Sequence, residues 1–336
     1  MRTLRRPQYI VPTMADGGLG GRQRLRDRLE YERTATIPVT FHSYWARPDV
    51  KGLLLAMQGR ICAYCAVGTN GLDVDHFRPK GAGIEGNEAQ GGYWWLAYDC
   101  SNYFLGCTVC NRIRKRTGFP LLPGAIRCTY NTRNTITVEG RLLLDPAEDP
   151  VDECLTIDPE DVSGKLIPNP GLDEGQKSRV QESIDLFGLN LDPEVRSQRS
   201  KAYELAARAA FEQRWDDLQR SAMRHRPHSL AARIVLQRVA PDRLPSSEDE
   251  MRDLVDLLWR DLRTLMYEIR SLKARGKVPS GVDERQLSAL GWALAVLRSD
   301  PPAGDTLAAD EYFAELLSRE GVGIRTEIVN LFRELR

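Results

Sequence analysis

Apolar positions recur at more than one period along the chain, and the change of period divides it. RQRLRDRLEYERT, residues 22–34, predicts a charged helix. PDVKGLLLAMQGR, residues 48–60, predicts a short helix that ends near Gly59 and leads straight into CAYC. LDVDHF, residues 72–77, alternates as a strand does, which places Asp73 and Asp75 on one face. A glycine-rich loop follows over 81–92, and YWWLAYDCSNYFLGC, residues 93–107, is aromatic and expected to be buried. CNRIRKR, residues 110–116, predicts the start of a short basic helix, and LLLDP, residues 142–146, a strand running into a turn.

From Asp192 onward the pattern is helical. Asp192-Pro193 is a good helix start, because proline is tolerated in the first turn. Phe211, Trp215, Leu218 and Ala222 form one apolar stripe that ends before Pro227. Ser247 and Glu250 predict a capping box. Behind it Met251, Leu254, Leu258, Leu262, Leu265, Ile269 and Leu272 mark one face of a long helix. Leu287, Leu290, Leu294 and Leu297 mark another, and Ile324, Ile328 and Leu331 a last one. The expected organisation is a basic arm and helix over 1–47, a compact module over 48–145, an acidic connection over 146–192 and a helical domain over 193–336. The helical stripes read first as packing surfaces of a self-contained bundle, with assembly as the alternative.

Composition adds a constraint. The chain has 336 residues, 47 Lys and Arg, 47 Asp and Glu, and a formal net charge of zero. Affinity for an acidic partner must therefore come from local clustering. Residues 101–135 hold no acid but carry Arg112, Arg114, Lys115, Arg116, Arg127 and Arg133. Residues 142–161 invert this with Asp145, Glu148, Asp149, Asp152, Glu153, Asp158, Glu160 and Asp161, a layout that suits a local anion-binding face. No apolar run approaches the roughly 20 residues of a membrane span. The basic N-terminus lacks the apolar core of a secretory signal, and its glycines and Pro7 predict a flexible, solvated arm. The expected location is a reducing cytoplasm, where the seven cysteines are ligands or core residues rather than disulfides.

The chemistry gathers in the compact module. Cys62-x-x-Cys65 and Cys107-x-x-Cys110 have the spacing that lets paired thiolates reach one tetrahedral Zn²⁺. Such an ion would clamp a module too short to bury a good core, so that binding energy becomes folding energy. Cys100, Cys128 and Cys154 have no such partner and read as small buried apolar residues. Between the knuckles stands VDHFRPK, residues 74–80, with Asp75 and His76 followed by Arg78 and Lys80; Asn102 comes next, and Asn111 directly follows Cys110. Taken singly, each has a plainer reading: a solvated acid, a structural histidine, a turn asparagine, a helix cap. Together, in order and inside a four-cysteine frame, they resemble the HNH endonuclease motif. The wider text CAYC…VDHFRPK…YWWLAYDCSNYFLGCTVCNRIRKRTGFP is similar to the HNH nucleases of bacterial anti-phage systems of the Septu and retron-associated kind. LLLDPAEDP and SIDLFGLN match how those proteins continue, so about residues 50–200 are covered. Cys100 departs from them, standing where those relatives more often carry tryptophan.

The resemblance implies an α+β protein: a small zinc-stabilised ββα-metal (HNH) module with a mainly α-helical C-terminal domain. His76 would be the general base, since a neutral imidazole can take a proton from water, and Asn102 would orient its ring. Asp75 and Asn111 would give oxygen ligands to Mg²⁺ or Mn²⁺. Arg78, Lys80, Arg112, Arg114, Lys115 and Arg116 would hold flanking phosphates. The implied substrate is DNA, with RNA such as tRNA as the alternative. The resemblance also implies a partner ATPase, and since the chain has no GxxxxGK[ST] of its own, any ATP use would come from another chain. The rival class is a zinc-ribbon module that binds nucleic acid or a partner without turnover. Asp73 reads as a supporting carboxylate or an exposed one, and Tyr93, Trp94, Trp95 and Tyr98 as core rather than a stacking surface. His42, His225 and His228 read as incidental.

Overall fold

A computed structural model describes residues 1, 4, 10–38, 40–81, 92–161, 163–275 and 281–297. Ile324, Ile328 and Leu331 and most of the glycine-rich loop lie outside the described residues. The charged helix is α1, Leu19–Thr34, and α2 spans Pro48–Gln58. Pro48 opens α2, and Gly59, at φ 66°, closes it in a conformation that glycine adopts without steric cost. Two short strands follow, β1 (Leu72–His76) and β2 (Tyr103–Cys107), paired antiparallel with Asp75 opposite Phe104 and His76 opposite Tyr103. The basic helix, Val109–Lys115, is wound with π-type turns.

A two-stranded sheet has nothing but edges, and here the outer edge of β2 is covered. Gln58, fully buried at the end of α2, donates to Leu105 O at 3.0 Å and accepts from Leu105 N at 3.0 Å, while Ala63 N also donates to Leu105 O. The outward N–H and C=O of Leu105, at the middle of β2, are thus satisfied by residues on either side of the first cysteine.

Beyond the hairpin come α3 (Val151–Cys154), the antiparallel pair β3 (Leu155–Ile157) and β4 (Leu166–Pro168), α4 (Glu174–Leu186), α5 (Pro193–Phe211), α6 (Trp215–Ser221), α7 (Ser229–Val239), α8 (Ser247–Ala274) and α9 (Gly281–Leu297). Several expectations need correction. LLLDP forms no strand; Leu142 N donates to Pro120 O beside an isolated bridge between Leu121 and Arg141. The stripe from Phe211 to Ala222 is not one helix. The chain turns at Gln213 (φ 56°), Arg214 N closes on Ala209 O at 2.8 Å, and Phe211 is left 88% exposed. The cap of α8 sits one residue earlier than expected: Ser246 Oγ accepts from Asp249 N, and the Asp249 carboxylate accepts from Ser246 N. Glu250 instead meets Arg224 and Arg233. In the N-terminal arm, Met1, Leu4, Val11 and Met14 are buried in the main core, so at these positions the arm is packed and not solvated.

Part of the acidic connection is turned inward. Asp149 accepts from Arg141 and Arg179, Asp161 from Arg196, and buried Asp152 lies 2.9 Å from Arg224 and 3.3 Å from Arg233. Part of its charge is thus met by arginines, several from later helices, while Glu148, Glu153 and Glu160 remain exposed.

The core does not break at residue 193. One apolar cluster joins α2, the hairpin, the aromatic segment, α4, α8 and α9, and a smaller one lies among α5, α6 and α7. Leu254, Leu258, Leu262, Leu265 and Ile269 of α8 and Leu287, Leu290 and Leu294 of α9 are buried as their stripes predict. Helix α9 lies directly on α2 at Gly52, where an added Cβ would stand 2.3 Å from Trp292 Cβ and 2.8 Å from Ala289 O. In an unobstructed helix Gly→Ala stabilises by about 1 kcal/mol. Here Gly52→Ala is expected to destabilise by about 1–3 kcal/mol, through overpacking against a helix far away in sequence. Urea unfolding checks the sign, and a gain in stability would contradict this packing.

Candidate metal centre and active site

The first cysteine pair lies in the turn after α2, and the second joins the end of β2 to the basic helix. Among the described residues, Cys62, Cys65, Cys107 and Cys110 are the one group of His, Cys, Asp or Glu side chains able to hold a metal ion, their sulfurs lying within 4.8 Å of one another. Four sulfurs about 2.3 Å from a central ion form a tetrahedron with edges of about 3.8 Å, and Cys65 and Cys107 are 3.8 Å apart. Cys107 N points at Cys62 Sγ (3.4 Å) and Cys110 N at Cys107 Sγ (3.5 Å), which helps to stabilise charge on sulfur. Thiols this close do not ionise independently. The hydrogen bond from Cys110 holds Cys107 well below its ordinary value, while the same contacts with Cys107 push Cys65 and Cys110 up. A divalent cation removes that conflict, and the donor set fits zinc.

The other anticipated side chains divide between two faces of the hairpin. Because side chains alternate along a strand, Asp73 and Asp75 leave β1 on one face and His76 on the other. On the first face Asp75 is 3% exposed, accepting from the Tyr64 hydroxyl at one oxygen and from Lys115 Nζ, 3.0 Å away, at the other. Asp73 pairs with Arg112 at 2.7 Å. Asn111 is half-buried on this face, its Cβ 3.2 Å from where a Cβ on Gly106 would lie, and Gly106 is the cross-strand partner of Asp73.

On the second face His76 is 7% exposed, packed edge-on against Trp45 and Tyr103 with centroids 4.7 and 4.9 Å away. Its Nε2 lies 3.0 Å from Ala97 O. A carbonyl only accepts, so Nε2 carries the proton and Nδ1 holds the lone pair. Burial, reinforced by the charge of Lys80, pushes the imidazole pKa down to about 3. Lys80 stands 4.6 Å from the centroid of the same Trp45 ring.

Septu protein PtuB is similar to this chain. The relative, from Bacillus mycoides (strain KBAB4), is 35% identical over 119 residues, which is 32% of this chain and 38% of that protein. The chain thus matches well under half the length of this relative, a distant homology to a Septu protein. No family model and no solved structure matches the chain. No helix among the described residues is long and apolar enough to cross a membrane.

Several anticipated roles change in detail. Asn102 does not touch the His76 ring; its amide accepts from Arg78 N (2.8 Å) and donates to Arg78 O (2.9 Å), fixing the chain just beyond β1. The ring is oriented by Ala97 O, a backbone atom for which no side-chain signal exists. Arg78 is buried, directed at Glu139 (3.4 Å) and over the Phe119 ring, and Lys115 is buried on Asp75, so neither faces a phosphate. Arg112, Arg114 and Arg116 are exposed. Tyr93, Trp94 and Tyr98 are buried as expected. His225 is structural, bonded to Asp253 at 2.5 Å, and His228 N donates to Ala66 O in the loop after Cys65. Tyr64 carries no assigned role in the sequence, yet a tyrosine between two knuckle cysteines needs a partner for its hydroxyl once buried, and here that partner is Asp75.

As the residues stand, each Asp75 oxygen already accepts a hydrogen bond, one of them from the Lys115 ammonium, and His76 leaves β1 on the other face. The zinc set fits; the divalent oxygen set, in this arrangement, does not. Purified protein is expected to carry about one zinc per chain by elemental analysis, and Cys107→Ser to lose it together with cooperative melting. Wild-type zinc content in the variant would contradict the assignment.

Proposed function

We propose that the chain is an HNH-type endonuclease that hydrolyses phosphodiester bonds of nucleic acid, DNA being the expected substrate, and that it serves anti-phage defence. The defence role is supported by the distant homology to a Septu protein. The nuclease reading is supported foremost by His76. An imidazole held at Nε2 by a backbone carbonyl and neutral over the physiological range keeps its Nδ1 lone pair free of a proton, which is the form a general base needs, although burial weakens its basicity until substrate charge is bound beside it.

In this reading Nδ1 takes a proton from water, the hydroxide formed attacks phosphorus as the bond to the 3′ oxygen breaks, and that oxygen takes a proton from solvent to leave as a hydroxyl. Ala97 O keeps the imidazolium oriented while it carries the proton. Lys80 brings positive charge beside the base for a non-bridging phosphate oxygen, and the exposed Arg112, Arg114 and Arg116 suit contacts to flanking phosphates. By the resemblance, a partner ATPase would license cutting. A second reading, a zinc-ribbon module that binds without cutting, draws on the engagement of Asp75 by Lys115.

Cleavage of duplex DNA, single-stranded DNA and tRNA, with and without Mn²⁺, separates the two. His76→Ala is expected to abolish hydrolysis with zinc content unchanged and cooperative melting retained, at a lower Tm because a buried ring is removed; equal activity in the variant would contradict the mechanism. The pH profile is a further check. A base with a pKa lowered to about 3 is already neutral well below pH 6.5, so kcat/KM is expected to show no acid limb near 6.5. A limb at that value would mean the catalytic imidazole is solvated and differs from the one described.

A further inference from the structure

Lys115 is 1% exposed, and its ammonium lies in an oxygen-lined seat. Nζ is 3.0 Å from Asp75 Oδ1 and 2.7 Å from His76 O. The remaining Asp75 oxygen is held by the Tyr64 hydroxyl. A carboxylate and a backbone carbonyl are the donors a hard divalent ion takes. Lys115 also stands four residues after Asn111 on the same short helix, so the two share a face turned to β1. The same helix sends Arg112 to Asp73. Both carboxylates on this face of β1 are therefore matched by cations from the one element that also carries the anticipated asparagine ligand.

We propose that the Lys115 ammonium is a built-in cation occupying the seat beside Asp75 that a divalent ion would take, so that ion binding requires Lys115 to withdraw. Two cations cannot share one carboxylate oxygen in a buried site without strong repulsion. The helix that would have to move is suited to it. It is wound in π-type turns, which occur often at functional sites. It is fastened at its start by Cys107 and Cys110, and it ends at Arg116, a non-glycine residue at φ 51°. The ion seat and the lysine then compete, and the apparent affinity for the ion falls by the fraction of molecules in which Lys115 is withdrawn.

The inference rests on reading Asp75 and Asn111 as ion donors of the proposed nuclease. It is tested on the zinc-loaded, full-length chain by Mn²⁺ titration, with free Mn²⁺ followed by electron paramagnetic resonance. Lys115→Met is expected to bind one Mn²⁺ on the order of tenfold or more tighter than wild type, Lys115→Arg to show no gain, and Asp75→Asn combined with Lys115→Met to lose it. Should the methionine variant fail to fold, Lys115→Gln keeps a donor to the His76 carbonyl and is expected to show the same gain. Unchanged Mn²⁺ affinity on removing the ammonium overturns the proposal, as does a gain that survives Asp75→Asn. Cleavage assays on the same proteins distinguish the two ideas. Tighter Mn²⁺ binding with no hydrolysis by any variant upholds the lysine's role and removes the nuclease. Mn²⁺-dependent hydrolysis by wild type with equal affinities in all variants does the reverse.

Discussion

The hairpin depends on four sulfurs meeting at one point. A two-stranded sheet of five-residue strands buries too little to hold itself together. Here Cys62 and Cys65 tie the turn after α2 to Cys107 and Cys110 at the end of β2, and the rest follows from that tie. Gln58 can reach the exposed edge of β2 because the turn is held there. The basic helix starts at the second knuckle, which brings Lys115 and Arg112 back over β1. Tyr64, between the first two cysteines, reaches Asp75 from the other side.

Charge is organised on the same scale. A chain of zero net charge with strongly segregated signs looks, in one dimension, like a surface dipole. In three dimensions part of the acidic run folds onto arginines, several from later helices, and Asp152, Glu250, Arg224 and Arg233 form one linked set in which Asp152 and Arg233 are buried. Removing a single member would leave an uncompensated buried charge, the costly kind of change. Together with α9 lying on α2 at Gly52, this makes the C-terminal helices part of the same body as the hairpin.

What could be read from the sequence was local. Helices α8 and α9 bury the stripes that their apolar period marks, α1 and α2 form where their charged and apolar runs predict them, Gly59 ends α2, and the knuckle spacing marks the sulfur cluster. The alternation of LDVDHF correctly places Asp73 and Asp75 together, and by the same rule it sends His76 to the opposite face. What could not be read depends on contacts between distant residues or on backbone atoms. The carbonyl of Ala97 has no side-chain signature. Lys115 in a run of arginines looks like one more phosphate contact until the helix turns it inward, and Arg78 is claimed by Glu139, sixty-one residues away. The break at Gln213 contains neither glycine nor proline, so periodicity alone carries the helix through it.

Zinc-edge X-ray absorption on the purified full-length chain tests the thiolate clamp most directly. Four sulfur neighbours at about 2.3 Å and no nitrogen or oxygen in the coordination shell are predicted. A nitrogen or oxygen neighbour, or a protein that binds no zinc yet melts cooperatively, would contradict it.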